Sequence, residues 1–259
     1  MKLTFTGIEN IPLVQPGDDL ASLIMEAVTG MGEEIRDDDV LVLAQKIVSK
    51  AENRYLDLAT VVPSAEAEAL AIEVDKDPRK VQAILNESNE VVRTREGVLI
   101  VEHKLGFVQA NAGIDQSNIS HAGDEEDLIC LLLPEDPDKS ARNIRDSIKA
   151  RLGVDVGVII NDSLGRAWRN GTLGLAIGVA GMTALEDYIG DTDLYGRELV
   201  VTVVAAADEM AAGASLVMGQ TSEKTPVVLV RGYRPRDPED PALRGYKPLI
   251  RPKETDLFR

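Results

Sequence analysis

Cysteine and tryptophan each occur once in 259 residues, histidine twice, and aromatic residues make up 3% of the chain. A lone thiol excludes an internal disulfide framework and any multi-cysteine zinc or iron–sulfur centre. With so few rings, the core must be built from Val, Ile, Leu and Ala. Positive charge is also short: 28 Lys and Arg stand against 44 Asp and Glu, a formal charge of −16. That balance argues against a nucleic-acid partner, because non-specific binding needs a basic footprint. No apolar run approaches the roughly 20 residues that cross a bilayer, and the first residues carry no apolar signal-peptide stretch. A cytoplasmic protein with no membrane partner is expected. What is plentiful is apolar side chain, 44% of residues, enough for one large unit or two small ones sharing a core.

Local signals outline the elements. Asp18-Asp19 can cap a helix over Leu20–Val28. Val40–Val48, VLVLAQKIV, reads as a buried strand running into Ser49-Lys50. Ser64 opens an Ala- and Glu-rich helix to Val74, and Asp77-Pro78 starts another, with Val81, Ile84 and Leu85 on one face. Glu90–Arg95, Val98–His103 and Phe107–Ala110 read as strands. Ala141, Ile144, Ile148 and Leu152 share one helical stripe that ends at Gly153. Val154–Ile160, Leu199–Ala206 and Val227–Arg231 read as further strands, with an alanine-rich helix reaching Val217. Cys130 sits in the apolar run Leu128–Leu133 and reads as a buried, inert thiol. Strands and helices mix without a βαβ rhythm, so an α+β fold with a mixed sheet is expected. Residues 1–259 read as one large unit or two small ones sharing a core, and the sequence marks no boundary between subdomains. Five of the 12 prolines (235, 238, 241, 248 and 252) follow residue 234, so 234–259 reads as an extended arm rather than a packed element.

The common nucleotide fingerprints, a P-loop or a G-x-G-x-x-G after a strand, do not occur. Chemistry concentrates elsewhere. In VGVIINDSLGRAW a buried strand ends at Asn161-Asp162-Ser163, with Arg166 and Arg169 close behind. A carboxylate there is rigidly held at a solvent edge, and the arginines can fork onto phosphate or carboxylate oxygens. A turn aspartate with surface arginines is the plainer alternative. Asp115 lies among oxygen donors, Gln116-Ser117-Asn118, in a stretch that suits a metal loop or an ordinary Asx turn. Met218-Gly219-Gln220-Thr221-Ser222-Glu223 suits a nucleotide or metal loop and equally a plain helix–strand connection. All-oxygen ligands favour Mg²⁺ or Mn²⁺ over zinc. Lys46 and Lys50 bracket a strand end, an unusual place for casual surface lysines. Arg93, Arg95 and Lys104 are further basic residues near turns. His103 and His121 show no ligand or catalytic spacing. The glycines at 171, 174, 178 and 181 fit a close-packed strand or helix as well as a site.

Six blocks in one order resemble the F420-0:gamma-glutamyl ligase family along essentially the whole chain. They are GIENIPLVQPGDDL, LAQKIVSKAENR, ANAGIDQSNI, LLPEDPDKSARNIR, INDSLGRAWRNGTLGLAIGVAGM and VTVVAAADEMAAGASLVMGQTSEKTPVVLVRG. The family's commoner NDTFGRPWR wording is altered here at Ser163, Leu164 and Ala167, with a hydroxyl kept at Ser163. The resemblance implies a two-part α+β unit paired as an intertwined homodimer. It implies GTP-dependent ligation of L-glutamate to the lactyl carboxylate of coenzyme F420-0 through an acyl phosphate, then γ-linked addition of more glutamate. It implies two divalent cations, Mg²⁺ or Mn²⁺, and admits K⁺. By position, Asp115 and Asp162 correspond to ligands of one cation, and Ser163 and Gln220 to ligands of the second, with Glu223 as a substitute for Gln220. GTP contacts fall on Ile11, Pro12, Leu13 and Val14, on Gln45, Lys50 and Asn118, and on Met218, Gly219, Gln220, Thr221, Ser222, Glu223, Lys224 and Thr225. Asp162, Arg166 and Arg169 are the catalytic candidates, the arginines chosen for charge and adjacency. Alternatives are a related ligase with another carboxylate acceptor, a divalent-metal phosphohydrolase, and a GTP-binding regulator.

Overall fold

The computed structural model describes residues 2–119, 128–234 and 244–256. The expected His121, and the prolines at 235, 238 and 241, lie outside the described residues. The first part of the chain holds β1 (Thr4–Gly7), α1 (Leu20–Gly30), β2 (Val40–Ala44), α2 (Gln45–Ala51), β3 (Tyr55–Asp57), α3 (Ala65–Val74) and α4 (Pro78–Asn86). The small strands β4 (Ser88–Arg95), β5 (Val98–His103), β6 (Val108–Ala110) and β7 (Ile129–Leu131) follow. After them come α5 (Pro137–Leu152), β8 (Gly157–Gly165), β9 (Thr172–Ala180), β10 (Glu186–Asp187), β11 (Val203–Val204), α6 (Ala206–Met218) and β12 (Val227–Arg231).

Five strands form the main sheet in the order β1-β12-β2-β8-β9. Only β2 and β8 run parallel, and every other neighbour is antiparallel. The expected mixed sheet and α+β class are what the chain adopts. β2 and β12 are buried on both faces, which explains their unbroken Val and Leu runs. Two clusters of buried apolar residues form. The larger packs α1, α5 and α6 against the main sheet, and the smaller gathers Leu58, Ala71, Ile84, Leu99 and Ile114 between α3, α4 and the β4-β5-β6 sheet. Cys130 belongs to the smaller cluster, where burial pushes its thiol up to about 11, so it stays protonated and inert at neutral pH.

Helix ends follow the capping residues. Asp19, Ser64, Asp77 and Asp136 each accept from a backbone N–H in the first turn of α1, α3, α4 and α5. Gly153 ends α5 in the left-handed region, at φ +75°.

Four readings need correction. The strand over 40–48 stops at Ala44, and Gln45–Ala51 is helical. Ile47 and Val48 bury on the inner side of that helix, and Ala44 offers no side-chain cap to signal its start. β8 does not end at Asn161-Asp162-Ser163. It runs to Gly165, because those polar residues are paired with β9. Leu199–Ala206 is not a buried strand: Val200 and Val201 are exposed, and only Val203 and Val204 pair, with β10. The tail is not unpacked throughout. Tyr246 is buried 4.9 Å from the Phe107 ring, and Lys253 Nζ reaches Glu90 at 3.1 Å and Glu102 at 2.9 Å.

Candidate active site

The C-terminal end of β2 and the middle of β8 lie side by side, with Ala44 opposite Asn161. A crevice beyond the carboxyl ends of parallel strands is where open α/β sheets place ligands. Here polar groups gather from four segments: β8, the loop at 111–118, α2 and the loop at 218–225. β8 contributes Asp162 and Ser163. The register with β9 shifts between Ile160 and Asn161, where Ile177 is left without an opposite residue. Such a bulge re-aims the side chains that follow it.

Glycine makes this stretch possible. A Cβ on Gly174 would collide with Asn161 Oδ1 and meet the Ala211 carbonyl oxygen at 2.5 Å, and one on Gly178 would strike Pro137 at 2.6 Å. Gly174 and Gly178 are therefore packing positions that let β9 press against α6 and the start of α5, whereas Gly171 has open space beside it. Asn161 is buried, and its Oδ1 has no hydrogen-bond partner among the described residues.

The opposite wall is a loop. Asn111, Ala112 and Gly113 all take positive φ (+54°, +53° and +67°), a turn that non-glycine residues adopt only when their surroundings impose it. The turn delivers Asp115, whose backbone bridges Leu131. Asp115 Oδ2 pairs with Lys46 Nζ at 2.7 Å, while Oδ1 accepts from Ser117 N at 2.9 Å and Ser117 Oγ at 2.8 Å. Burial alone would raise this carboxyl group, but Lys46 and the Ser117 donors outweigh it and hold Asp115 below the ordinary carboxylate range.

Asp162 is in the opposite condition. Surrounding protein atoms strip it of solvation, and the negative charge of Asp115 adds to that. A bond from Ser163 N, at 2.8 Å, and the more remote charge of Lys46 only partly compensate, so the carboxyl group is pushed up to about 6.

The remaining segments close the ring. Lys50 Nζ donates to Asn118 O at 2.6 Å, Asn118 Nδ2 donates to Thr221 O at 3.2 Å, and Ser163 Oγ donates to Gln220 Oε1 at 3.1 Å. Burial and the neighbouring Lys46 charge lower the Lys50 ammonium despite the pull of Asp115. Glu223 folds its own loop, accepting from Thr221 N at 2.7 Å and Thr221 Oγ1 at 3.1 Å. It sits where a side chain on Gly219 would clash. Gln220, rather than Glu223, is the residue set beside Ser163.

Not every expected residue joins this ring. Gln45 is 2% exposed and its Oε1 accepts from Ser49 Oγ at 2.9 Å. Along 11–14, Ile11 and Val14 turn inward while Pro12 and Leu13 are exposed. That loop is tied to the end of α2 by Gly17 N donating to Ala51 O at 2.8 Å. Met218 is buried at the end of α6, while Ser222 and Lys224 are exposed and Lys224 takes a positive φ of +57°. Thr225 Oγ1 donates to Glu223 O at 3.2 Å. Arg166 donates to Gly171 O at 2.9 Å within the β8–β9 connection, and Arg169 is exposed. Neither arginine bonds Asp162 or Asp115. Ser117, which the sequence shows only as one oxygen donor beside Asp115, is the residue that orients it, with the D-x-S spacing of an Asx turn.

A family profile described as F420-0:Gamma-glutamyl ligase matches residues 8–232. The chain belongs to that family. Curated relatives named coenzyme F420:L-glutamate ligase are similar along their length. The one from Methanothermobacter thermautotrophicus is 45% identical over 259 residues, covering all of both chains. That from Methanopyrus kandleri is 45% identical over 255 residues, 97% of each chain. That from Archaeoglobus fulgidus is 44% identical over 232 residues, 90% of this chain and 88% of the relative. The family match spans both walls of the crevice, from Lys46 through Asp115 and Asp162 to the 218–225 loop. The protein is accordingly a ligase of the kind that forms amide bonds.

The donor set fits divalent cations of the Mg²⁺ or Mn²⁺ type. Every candidate ligand is an oxygen, and the charge of one carboxylate, Asp162, is only partly compensated by the protein. Among the described residues no group of three acidic, His or Cys side chains is suited to a metal. A cation bound here would have to complete its shell with neutral oxygens and water.

Proposed function

We propose that the protein joins L-glutamate to the lactyl carboxylate of coenzyme F420-0, using GTP, and then adds further glutamate in γ-linkage. The observation that supports this most directly is the pairing of Asp115 and Asp162 across one crevice with the Ser163–Gln220 oxygen pair beside them, in a chain of this family.

A carboxylate is a poor acylating agent until one oxygen carries a leaving group. In the proposed reaction that oxygen attacks the γ-phosphorus of GTP, the bond from phosphorus to the bridging oxygen breaks, and GDP leaves. The glutamate amine then attacks the acyl carbon, loses a proton, and expels phosphate. Asp115 and Asp162 would hold one divalent cation and Ser163 and Gln220 a second, and ions bound there neutralise the charge of the phosphoryl oxygens. Lys50 and Lys46 add fixed positive charge on the same side. The ring of bonds through Asn118 and Thr221 holds the loops in register, and positioning is the larger part of phosphoryl-transfer catalysis. Arg166 and Arg169 remain catalytic candidates on charge and adjacency to Asp162, and variants of each test that role. K⁺ is a further cofactor to be tested.

The same reading makes the protein a homodimer. The segment between β10 and β11 holds Leu194, Tyr195 and Val201 at 99%, 89% and 81% exposure, an apolar surface suited to a second copy. Sedimentation of wild type and of Leu194→Asp tests this, with a monomeric wild type as the contrary outcome.

Incubation with F420-0, L-glutamate, GTP and Mn²⁺, read by mass spectrometry, tests the reaction. A product heavier by one or more glutamyl units, lost without GTP or metal, is expected. Phosphate release that ignores glutamate would indicate a phosphohydrolase, and GTP binding without turnover a regulator. Product from a different carboxylate acceptor would keep the chemistry and change the substrate.

A further inference from the structure

On the Asp115 side of the crevice lies a second hollow of about 350 Å³, lined by Leu58, Lys76, Asp77, Lys80 and Gln116. Gln116 is the chain neighbour of Asp115, so the hollow adjoins the reaction centre. Its local charge runs against a chain of −16. The acid in its lining is already engaged: Asp77 caps α4 by accepting from Arg79 N at 2.8 Å, and it binds the Arg79 guanidinium at 2.6 Å. Lys80 Nζ donates to Gln116 Oε1, a neutral oxygen. Lys76 Nζ has no hydrogen-bond or ion-pair partner among the described residues, although the side chain is only partly exposed. Loss of solvation and the neighbouring charge of Lys80 lower its ammonium from the ordinary lysine value. Two like charges converging in a partly desolvated hollow, with the nearby acid engaged elsewhere, are unfavourable until an anion joins them.

We propose that this hollow receives a carboxylate of the amino-acid substrate, an α-amino dicarboxylic acid, and leaves its amine directed toward the Asp115 side. The inference rests on the ligase reading above. An attacking amine must stay uncharged and unbound, so the substrate has to be gripped through its carboxylates. Of the lysines around the main crevice, Lys46 is already ion-paired with Asp115, while Lys50, like Lys80, bonds only a neutral oxygen. Lys76 and Lys80 are the two lysines that line the hollow, and neither faces a carboxylate there that is not already engaged.

Calorimetric titration of the full-length protein with L-glutamate tests this, with Mg²⁺ and a non-hydrolysable GTP analogue present. Lys76→Ala and Lys80→Ala are each expected to weaken glutamate binding roughly 10- to 100-fold, the scale of one charge-assisted hydrogen bond. The Lys76→Arg/Lys80→Arg double variant should recover most of it. L-glutamine, with one carboxylate fewer, should bind more weakly to wild type and lose less in the variants. In turnover the loss should fall on KM for glutamate and spare KM for GTP. Unchanged glutamate affinity in both alanine variants overturns the proposal. A rise in KM for F420-0 instead also overturns it and gives the hollow to the acceptor. Glutamate binding that depends on these lysines in a protein yielding no glutamylated product keeps the subsite and discards the ligase reading. Normal product with unchanged KM values does the reverse.

Discussion

Asp115 and Asp162 lie on two walls of one crevice and act on each other, yet the walls treat them in opposite ways. The loop wall answers its charge in advance, with Lys46 and both Ser117 donors on the carboxylate. The strand wall leaves Asp162 with one backbone N–H and little solvent. The loop wall is thus settled without a ligand, while the strand wall is under electrostatic tension that a cation would relieve. Under the proposed function, a cation would be attracted by the Asp162 carboxylate and positioned by Asp115.

The sharpest way to break the contrast is Asp162→Asn. Ligation should fall by about 10²–10³ or more, the scale of losing one transition-state electrostatic contact. The metal-free protein should gain on the order of 1–3 kcal/mol at neutral pH, because the desolvated charge is gone. Near-normal turnover, or a lower melting temperature without metal, would refute the assignment.

Packing that holds the strand wall should come next. Gly174→Ala drives a methyl group into Asn161 and the α6 backbone and should cost about 1–3 kcal/mol in denaturant unfolding, with some loss of activity. A neutral substitution would mean that the β8 bulge is not held by α6.

The pH dependence has a definite sign. The folded Asp162 value, about 6, lies above the ordinary 3.8. The native state therefore binds the proton more tightly, and stability of the metal-free protein declines as pH rises from about 4 to about 6. Metal must displace that proton, so divalent-ion affinity should be about tenfold lower at pH 5 than at pH 7. Affinity that is flat across this range would put the ion elsewhere.

The smallest effect should come from the settled wall. Lys46→Met removes a partly exposed ion pair and should cost about 1 kcal/mol, a few degrees in melting temperature. It should also raise the Asp115 carboxyl value, visible by NMR, and tighten metal binding several-fold because a competing cation is removed. Weaker metal binding would show that Lys46 supports the metal rather than competes with it.

Much of the frame was legible in the chain because it depends on local chemistry. Asp77-Pro78 and Gly153 bound their helices through capping alone, and the Val-rich β12 has the composition of a strand buried on both faces. Failures came where tertiary pairing overrode local preference. Asn161-Asp162-Ser163 is turn chemistry by composition, yet β9 pairs with it and makes it strand. Gln45–Ala51 continues an apolar strand pattern, yet burial of Ile47 and Val48 turns it into a helix without a cap. The tail concealed Tyr246 among its prolines. For the site, Asp115, Asp162 and the 218–225 loop were individually visible as polar groups in suggestive places. Their company was not. Lys46 and Asp115 are 69 positions apart, and no local pattern encodes that pairing.

The bonds from Lys50 to Asn118 and from Asn118 to Thr221 join positions 68 and 103 residues apart. Contacts of such span close long chain loops, an entropic cost that the packing of the two apolar cores helps to offset. A nucleotide bridging the same segments would act as a reversible crosslink between distant parts of the chain. Its affinity would be read globally, as slower hydrogen exchange in the β4-β5-β6 sheet as well as in the main sheet, and as resistance to proteolysis far from the loops it touches.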